Sequence, residues 1–311
     1  MLLGATLGLR AQAPHPERIY LSGTGIDDTK TWEFFCSKGQ NSGSWKPIEV
    51  PCCWETQGFG EYTYGRWYTV KGAKPSDETG TYRHTFKAPR TENGQRVKLF
   101  FDGVMTDAEV RVNGQPAGDI HRGAFYRFSY DITDLLRPGK KNTLEVKVAK
   151  QSADKSVNNA ERRADWWLFG GIFRPVWLEV VPAVNMAHII LDADQHGRLR
   201  AQVRMEGDAQ GYALTTSLRR LSDGTPVRNA SGSDSQTIRI ADNRAEQLID
   251  SRWEDIDAWT PESPTLYVAR VELKSPDGKV IQAREFRTGF RTVEFFPQDG
   301  LYLNGTRLVL K

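Results

Sequence analysis

The stretch Asp165–Val180, DWWLFGGIFRPVWLEV, gives the clearest indication of how this chain folds. It opens with a carboxylate beside two tryptophans and passes through the pair Gly170-Gly171. Its end alternates between two sets of residues, with Val176, Leu178 and Val180 on one side and Trp177, Glu179 and Val181 on the other. Alternation with a period of two is typical of a β-strand, and paired glycines permit a close backbone approach. The stretch therefore predicts an aromatic loop feeding a core strand, with a carboxylate and large rings at the strand's end.

Alternating segments upstream extend this β pattern. They are listed here by their apolar members: Tyr82, His84 and Phe86; Val97, Leu99 and Phe101; Ala108, Val110 and Val112; Leu144, Val146 and Val148. Turn signals at Asn93-Gly94 and Asn113-Gly114 separate some of them, and DITDLLRPGKKN indicates a turn or one helical turn. Short strands with regularly spaced turns predict an antiparallel sandwich.

The chain becomes more polar after Pro182, and its turns suit a second sandwich of about seven strands. Tyr267–Leu273 is the best strand there, and ADNRAEQLIDSRWEDIDAW is interpreted as a strand and a loop rather than a helix. At the end, Leu301 and Leu303, the Asn304-Gly305 turn, then Leu308 and Leu310 predict a hairpin. Because this hairpin lacks a closing element, we expect it to be the start of a domain that is cut short.

Composition limits the function classes. A chain of 311 residues that is 39% hydrophobic can form two domains with separate cores. Its 42 Lys and Arg nearly balance 39 Asp and Glu, and no basic block is interleaved with aromatics, so nucleic acid is not an expected partner. No run of about 18 apolar residues predicts a membrane span. The 33 aromatic residues, of Trp, Tyr and Phe together, are mostly expected in the core, although such rings also stack on sugars.

The N-terminal residues 1–17 resemble a remnant of a secretory signal, with a short apolar run and the A-x-A pattern at Ala11–Ala13; the alternative is a disordered leader. We therefore expect export to the periplasm or the extracellular space. In an oxidising compartment Cys36 could pair with Cys52 or Cys53, and buried free thiols are the alternative.

Known chemical motifs are missing from the sequence. It has no nucleophile elbow, no dinucleotide or phosphate-binding glycine motif and no C-x-x-C, and its five histidines show no metal-ligand spacing. From the residues alone, the prediction ends at an exported protein of two sandwiches with aromatic loops.

Several segments in order resemble family 2 glycoside hydrolases, the β-galactosidase and β-glucuronidase family. They are TYRHTFKAP, FFDGVMTDAEVRVNGQPAGDIHRGAFYRFSYDIT, NTLEVKV and GGIFRPVWLEV for its sugar-binding domain, AWTPESPTLYVARVEL for its immunoglobulin-like domain, and RTGFRTVEFFPQDGLYLNGTRLVLK for the entry to its catalytic barrel. The resemblance implies an all-β chain: a jelly-roll, galactose-binding-like sandwich over 18–182, an immunoglobulin-like sandwich over 183–289, and the first hairpin of a truncated (β/α)8 barrel over 290–311.

The resemblance also implies the chemistry of the parent enzyme. Retaining hydrolysis of a terminal β-linked sugar uses two glutamates about 5 Å apart, which in this family sit in the barrel. This chain has no Asn-Glu dipeptide, which precedes the family's acid/base, so we expect the chain alone to be inactive and assign it no catalytic residue. The expected parent is a β-galactosidase; glucuronidase, mannosidase and arabinosidase activities stay open, and a noncatalytic carbohydrate-binding or scaffold protein is the alternative. A homo-oligomer is open as well.

Site residues follow from the same resemblance. Asp165 matches the family aspartate that helps to hold the terminal sugar, partly through a monovalent cation, and Mg²⁺ is a further cofactor to consider in the full-length enzyme. The alternative is that Asp165 caps a turn or pairs with Arg162 or Arg163. Asp77 stands where relatives carry an Asn, and a turn role is its alternative. Four rings are candidates for stacking on substrate, with core packing as the alternative: Trp166, Trp167, Trp54 and Tyr64.

Overall fold

The computed structural model describes residues 18–92 and 94–309 and divides them into two compact units, 18–181 and 182–309. The predicted signal remnant, Asn93 of one predicted turn and Leu310 of the predicted hairpin lie outside the described residues. No helix in the described part of the chain is long and apolar enough to cross a membrane.

The regular secondary structure of the first unit is mainly β-strand. In chain order they are β1 (Arg18–Tyr20), β2 (Lys30–Cys36), β3 (Trp45–Val50), β4 (Thr63–Tyr64), β5 (Thr79–Lys87), β6 (Arg96–Phe101), β7 (Asp107–Val112), β8 (Gln115–Pro116), β9 (His121–Arg122), β10 (Phe128–Asp131), β11 (Lys141–Ala149), β12 (Trp167–Leu168) and β13 (Val176–Val181). They form a four-stranded sheet β1-β13-β6-β10, a seven-stranded sheet β3-β2-β5-β11-β7-β8 in which β9 also pairs with β7, and the small pair β12-β4. All the pairings are antiparallel, and the all-β prediction is confirmed.

The core of this unit lies between its two larger sheets. From β6 it takes Val97, Leu99 and Phe101, and from β11 Leu144, Val146 and Val148, all of them buried. Side chains of this size stabilise a fold by about 1.5–3 kcal/mol each when they leave water. The predicted alternation thus corresponds to side chains that point alternately into and away from the core of the sandwich. Strand β13, from the opening stretch, is an interior strand of the smaller sheet.

Turns and short helices connect these strands. Asn113 and Gly114 both have positive φ, 52° and 82°, as the two-residue turn of a tight hairpin requires. The predicted helical turn in DITDLLRPGKKN is a 3-10 helix over Thr133–Leu135, and others cover Trp54–Gln57 and Trp67–Thr69. Helix α1 (Lys155–Glu161) was not expected from the sequence, because its seven residues show no apolar stripe.

The second unit repeats the sandwich plan. Its strands are β14 (Asn185–Ala193), β15 (Arg198–Glu206), β16 (Ala213–Arg220), β17 (Pro226–Val227), β18 (Ser235–Arg239), β19 (Glu246–Arg252), β20 (Tyr267–Lys274), β21 (Val280–Thr288), β22 (Val293–Phe296), β23 (Gly300–Leu303) and β24 (Thr306–Leu308). A three-stranded sheet, β14-β15-β19, and a five-stranded sheet, β17-β16-β20-β21 with β18 on β16, share two apolar clusters. The interpretation of residues 241–259 as a strand and a loop is correct, since β19 covers 246–252 and no helix lies in this segment. The immunoglobulin-like class of this sandwich and the exact domain boundaries stay predictions.

The last described strands form a separate three-stranded sheet, β22-β23-β24. Its second hairpin turns at Asn304 and Gly305, whose φ angles are 50° and 78°, where the sequence placed it. That this sheet belongs to a barrel stays a prediction.

All three cysteines are free thiols. Cys36 and Cys52 are buried and Cys53 is half-buried, and burial raises the pKa of each thiol. Of the two alternatives, free thiols are therefore the one found.

Candidate functional site

The segment between α1 and β13 is fixed in place at two glycines, of which Gly170 packs against the buried indole of Trp54 and Gly171 against the backbone carbonyl of Cys52. A Cβ on Gly170 would lie 2.1 Å from Cζ2 of Trp54, and Gly171 has a φ of +124°. Residue 171 also exchanges backbone hydrogen bonds with Met105, at 2.9 and 3.2 Å. The close approach predicted for this glycine pair is present, and it fixes where the aromatic residues before it emerge.

Trp54 is not a sugar-stacking ring. Its side chain is fully buried, 5.8 Å from the Phe34 ring and against Gly170. A ring without exposed surface cannot stack on a ligand, so the core alternative is correct for this residue.

A group of buried charges supports the same loop. We call Lys150, Glu55 and Glu78 the buried ion cluster. The Nζ of Lys150 lies 2.7 Å from Oε1 of Glu55 and 2.9 Å from Oε1 of Glu78, and all three side chains are at most 1% exposed. Glu55 in turn accepts a hydrogen bond from the amide of Gly170, at 3.0 Å. Burial raises the pKa of Glu55 and the neighbouring Lys150 ammonium opposes that rise.

Sequence reasoning missed this cluster. Its members lie far apart in the chain, and charged residues are ordinarily placed on the surface. A buried charge is tolerated only when it is paired and hydrogen-bonded. Lys150 provides both the opposite charge and the hydrogen bonds for the two carboxylates. The buried ion cluster therefore holds the backbone of the aromatic loop in place through the amide of Gly170.

An open groove of about 720 Å³ lies beside this loop. We call it the aromatic groove, and it is lined by Tyr64, Met105, Phe125, Arg162, Asp165, Trp166, Trp167 and Phe169. Four of its rings are between 40% and 51% exposed: Tyr64, Phe125, Trp166 and Trp167. The short strands β4 and β12 position two of these rings, because they pair Tyr64 directly with Trp167 and bring the ring centroids to 5.2 Å. The surface so formed combines apolar rings with one carboxylate.

Asp165 is the acid of the aromatic groove. Its side chain is 70% exposed, accepts a hydrogen bond of 2.5 Å from the hydroxyl of Tyr64, and lies 3.9 Å from a guanidinium nitrogen of Arg66. This hydrogen bond raises the pKa of Tyr64, because it favours the protonated phenol. The predicted pairing alternatives are absent: Arg162 donates to the carbonyl of Phe169, and Arg163 lies over the ring of Trp67. Asp165 is therefore an exposed carboxylate whose contacts are with Tyr64 and Arg66 rather than with Arg162 or Arg163.

Asp77 is placed differently. It forms a 2.7 Å ion pair with Lys38, it is 64% exposed, and it is not among the residues that line the aromatic groove. The hydrogen bond from Lys38 lowers the pKa of this carboxyl. The structure thus brings Asp165, Trp166, Trp167 and Tyr64 together and leaves Asp77 apart.

A monovalent cation at Asp165 stays a prediction. Within residues 18–92 and 94–309, no three His, Cys, Asp or Glu side chains cluster as metal ligands would. Asp165 can offer one carboxylate and Tyr64 one hydroxyl, whereas the nearby Arg66 repels a cation. A monovalent cation at Asp165 would need most of its oxygen ligands from elsewhere.

Comparisons with known proteins agree on one family. The model for the sugar binding domain of glycosyl hydrolases family 2 matches residues 24–182, and a second model of that family matches 184–291. A β-galactosidase of Thermoanaerobacter pseudethanolicus is 29% identical over 74% of this chain, and one of Pectobacterium atrosepticum is 31% identical over 85%. The matched regions are 30% and 26% of those proteins, so the chain spans about a third or less of their length.

Solved structures share the fold. A crystal structure of a Bacteroides uniformis β-glucuronidase covers 93% of this chain with a TM-score of 0.67 and 24% identity, and 34% of that protein is covered. A β-glucuronidase from glycoside hydrolase family 2 covers 96% with a TM-score of 0.70 and 19% identity, over 33% of its own chain. With two family models matched in order over most of its length, this chain belongs to glycosyl hydrolase family 2.

Proposed function

We propose that this chain is part of an exo-β-glycosidase, specifically a β-galactosidase, in which the aromatic groove forms part of the sugar pocket. The observation that carries the proposal is the exposed carboxylate of Asp165, which is held by Tyr64 beside the exposed rings of Trp166 and Trp167. The family membership supports hydrolysis of O-glycosyl bonds as the reaction of the whole protein.

The groove has the two kinds of surface that a sugar needs. The C–H face of a pyranose packs on an aromatic ring, while its hydroxyls require hydrogen-bond partners. A carboxylate accepts charge-assisted hydrogen bonds from hydroxyls and so fixes the orientation of the ring. Because Asp165 has only one short hydrogen bond and one distant cation in this structure, its remaining lone pairs are open to a substrate.

The reaction itself is assigned to residues outside this chain. In the proposed retaining mechanism, one glutamic acid protonates the leaving oxygen and a second glutamate attacks the anomeric carbon, and a barrel elsewhere in the protein supplies both. This chain then acts by positioning the terminal sugar. The names of the relatives include β-galactosidases and putative β-glucuronidases, and the solved structures include β-glucuronidases and a putative β-galactosidase, so both a galactoside and a glucuronide enter the test.

The test uses the protein encoded by the whole reading frame, with 4-nitrophenyl β-galactoside and β-glucuronide as substrates. We expect hydrolysis of the galactoside, and a loss of about ten- to a hundredfold in kcat/KM for Asp165→Asn, because a hydrogen bond to a charged group contributes about 1.5–3 kcal/mol. The matched control is Asp119→Asn, an exposed aspartate of the same unit outside the groove. No hydrolysis of either substrate would refute the proposal, and an equal loss in the control would remove the role of Asp165.

The groove also favours a second candidate, a noncatalytic carbohydrate-binding protein, because its rings are already exposed on this chain. That candidate requires the 311-residue chain to bind galactosides without a barrel. The pocket-fragment proposal expects little or no binding by the chain alone, since most of the pocket walls are supplied elsewhere. Calorimetric titration of the chain with a β-galactoside separates the two.

We further propose that the protein is exported, on the strength of the signal-like residues 1–17. N-terminal sequencing of the native protein should then find a start shortly after Ala13, whereas an intact N-terminus in the cytoplasmic fraction would contradict export. The homo-oligomer stays a prediction.

A further inference from the structure

A second pocket of about 470 Å³ lies beside α1 in the first unit. We call it the basic pocket, and it is lined by Trp67, Pro75, Gln151, Lys155, Asn158, Asn159, Arg162 and Arg163. Its volume is within the range of small-ligand sites, about 300–1,000 Å³. It shares one residue, Arg162, with the aromatic groove.

The charges that line the basic pocket have a single sign. Three of its eight lining residues are cations, Lys155, Arg162 and Arg163, and none carries a carboxylate. In the aromatic groove, by contrast, Arg162 is accompanied by Asp165. Cations converging on one pocket favour an anion, and Arg adds planar donors that suit carboxylate and sulfate groups.

Two buried donors of the basic pocket have no acceptor within the described residues: Nε of Arg162 and the indole N–H of Trp67. The side chain of Arg162 is only 2% exposed, yet its other contacts are a 2.6 Å bond to the carbonyl of Phe169 and a 3.7 Å contact with the sulfur of Met105. A buried donor without a partner costs about 1–3 kcal/mol. The lining residues of the basic pocket thus carry donor groups that the described residues leave unsatisfied.

The acids that act on Arg162 are engaged with other groups. Glu55 is bound by Lys150 at 2.7 Å and by the amide of Gly170, and Glu161 accepts a 2.8 Å hydrogen bond from the amide of Ala124. Neither carboxylate forms a hydrogen bond with the guanidinium of Arg162 in the described part of the chain. The guanidinium of Arg162 therefore has no carboxylate hydrogen-bonded to it among the described residues.

We propose that the basic pocket binds the carboxylate or sulfate group of an acidic glycan. The exposed side chains of Lys155 and Arg163 contact the anion, while Arg162 and Trp67 lie in the same lining and carry N–H groups without an acceptor among the described residues. A sugar unit rather than a free ion is indicated by the amides of Gln151 and Asn159, which suit hydroxyls, and by the neighbouring aromatic groove, which shares Arg162 as a lining residue. The glycan part of this inference rests on the proposed function, whereas the anion site rests on the pocket's own charges.

The test is calorimetric titration of the 311-residue chain with a galacturonate trisaccharide, its neutral methyl ester and inorganic sulfate. We expect the acid to bind and the ester to bind at least tenfold more weakly. The double variant Lys155→Gln/Arg163→Gln should lose about tenfold in affinity for the acid, because two exposed charge contacts contribute up to about 1 kcal/mol each. The matched control is Lys87→Gln/Arg90→Gln, which removes one exposed Lys and one exposed Arg outside the pocket and should bind as the parent chain does.

Equal binding of the acid and the ester, or an unchanged affinity in Lys155→Gln/Arg163→Gln, would overturn the proposal. If sulfate binds as tightly as the trisaccharide, with the same dependence on the variants, the claim that the ligand is a glycan is overturned and the pocket is a site for free anions. Since no hydrolysis is measured, these outcomes are independent of whether the full-length protein is a β-galactosidase. Thermal unfolding of both double variants verifies that each is folded.

Discussion

The buried ion cluster and the aromatic groove meet at one loop but satisfy their polar groups in opposite ways. In the cluster, Lys150 is bound by Glu55, by Glu78 and by the carbonyl of Glu61, without exposure to solvent. In the groove, Asp165 is 70% exposed and has a single short hydrogen bond. Groups that are fully satisfied inside a protein support its fold, whereas exposed and incompletely paired groups are available to ligands. The contrast assigns stability to the first region and recognition to the second.

Removing the central cation should produce the largest effect. Lys150→Met keeps an unbranched side chain of similar length but leaves two buried carboxylates without their partner, so we expect the free energy of unfolding to fall by about 3–5 kcal/mol. The corresponding loss in Tm is roughly 10 °C for a unit of this size. Denaturant and thermal unfolding, followed by circular dichroism, measure both quantities.

The control for Lys150→Met is Lys87→Met, since Lys87 is exposed at the end of β5 and should tolerate the change within about 0.5 kcal/mol. The double variant Glu55→Gln/Lys150→Met sharpens the assignment. Its loss in free energy of unfolding should be smaller than the sum of the two single losses by about 1 kcal/mol or more. The reason is that the double variant removes Lys150 and also one of the two buried carboxylates that Lys150→Met leaves without a partner. A Lys150→Met protein as stable as the parent would show that the cluster does not support the fold.

Packing at the glycine pair should give the next largest effect. Gly170→Ala introduces a methyl group where Cζ2 of Trp54 would be 2.1 Å away, and we expect a loss of about 1–3 kcal/mol from overpacking. Because Gly170 does not need a positive φ, the clash alone is responsible. Equilibrium unfolding in urea measures the loss.

The stability lost in Gly170→Ala should be partly restored by a second substitution at Trp54, the residue that the new methyl group contacts. Trp54→Phe removes the part of the indole that the new methyl group meets, so the double variant Gly170→Ala/Trp54→Phe should be more stable than the sum of the single losses predicts. Additive losses would mean that the ring does not limit the approach of the loop. Gly114→Ala is no substitute as a control, since its φ of +82° brings backbone strain; Gly25→Ala, with open space around its Cβ, is suitable.

The sequence predicted the regular parts of the fold and the exposed acid, but not the buried charges. Val97, Leu99 and Phe101 alternate so regularly that their strand and its buried face follow from a period of two alone. Asp165 stood out locally as a carboxylate next to two tryptophans, but its role as a site residue was implied by the resemblance to family 2 glycoside hydrolases. The buried charges have no such signal, since only the folded sheets bring Glu55, Glu78 and Lys150 together. The burial of Trp54 was not predicted either, because nothing in its local sequence distinguishes it from an exposed aromatic residue of a loop.

The smallest expected effect concerns the hydroxyl of Tyr64. Its hydrogen bond to Asp165 raises the pKa of the phenol, so Asp165→Asn should lower the pKa of Tyr64 toward the ordinary value. The folded-state pKa lies above that of the unfolded chain, which means that this hydrogen bond contributes fully below pH 10 and is lost as the pH rises through the folded value. Tyrosine ring ¹³C resonances, followed between pH 8 and 12 with Tyr64→Phe as the assignment control, report the shift directly. Near neutral pH the free energy of unfolding of Asp165→Asn should stay close to that of the parent, because the pair is exposed and screened by solvent. A larger loss would place Asp165 among the groups that hold the fold and would remove the contrast between the groove and the buried ion cluster.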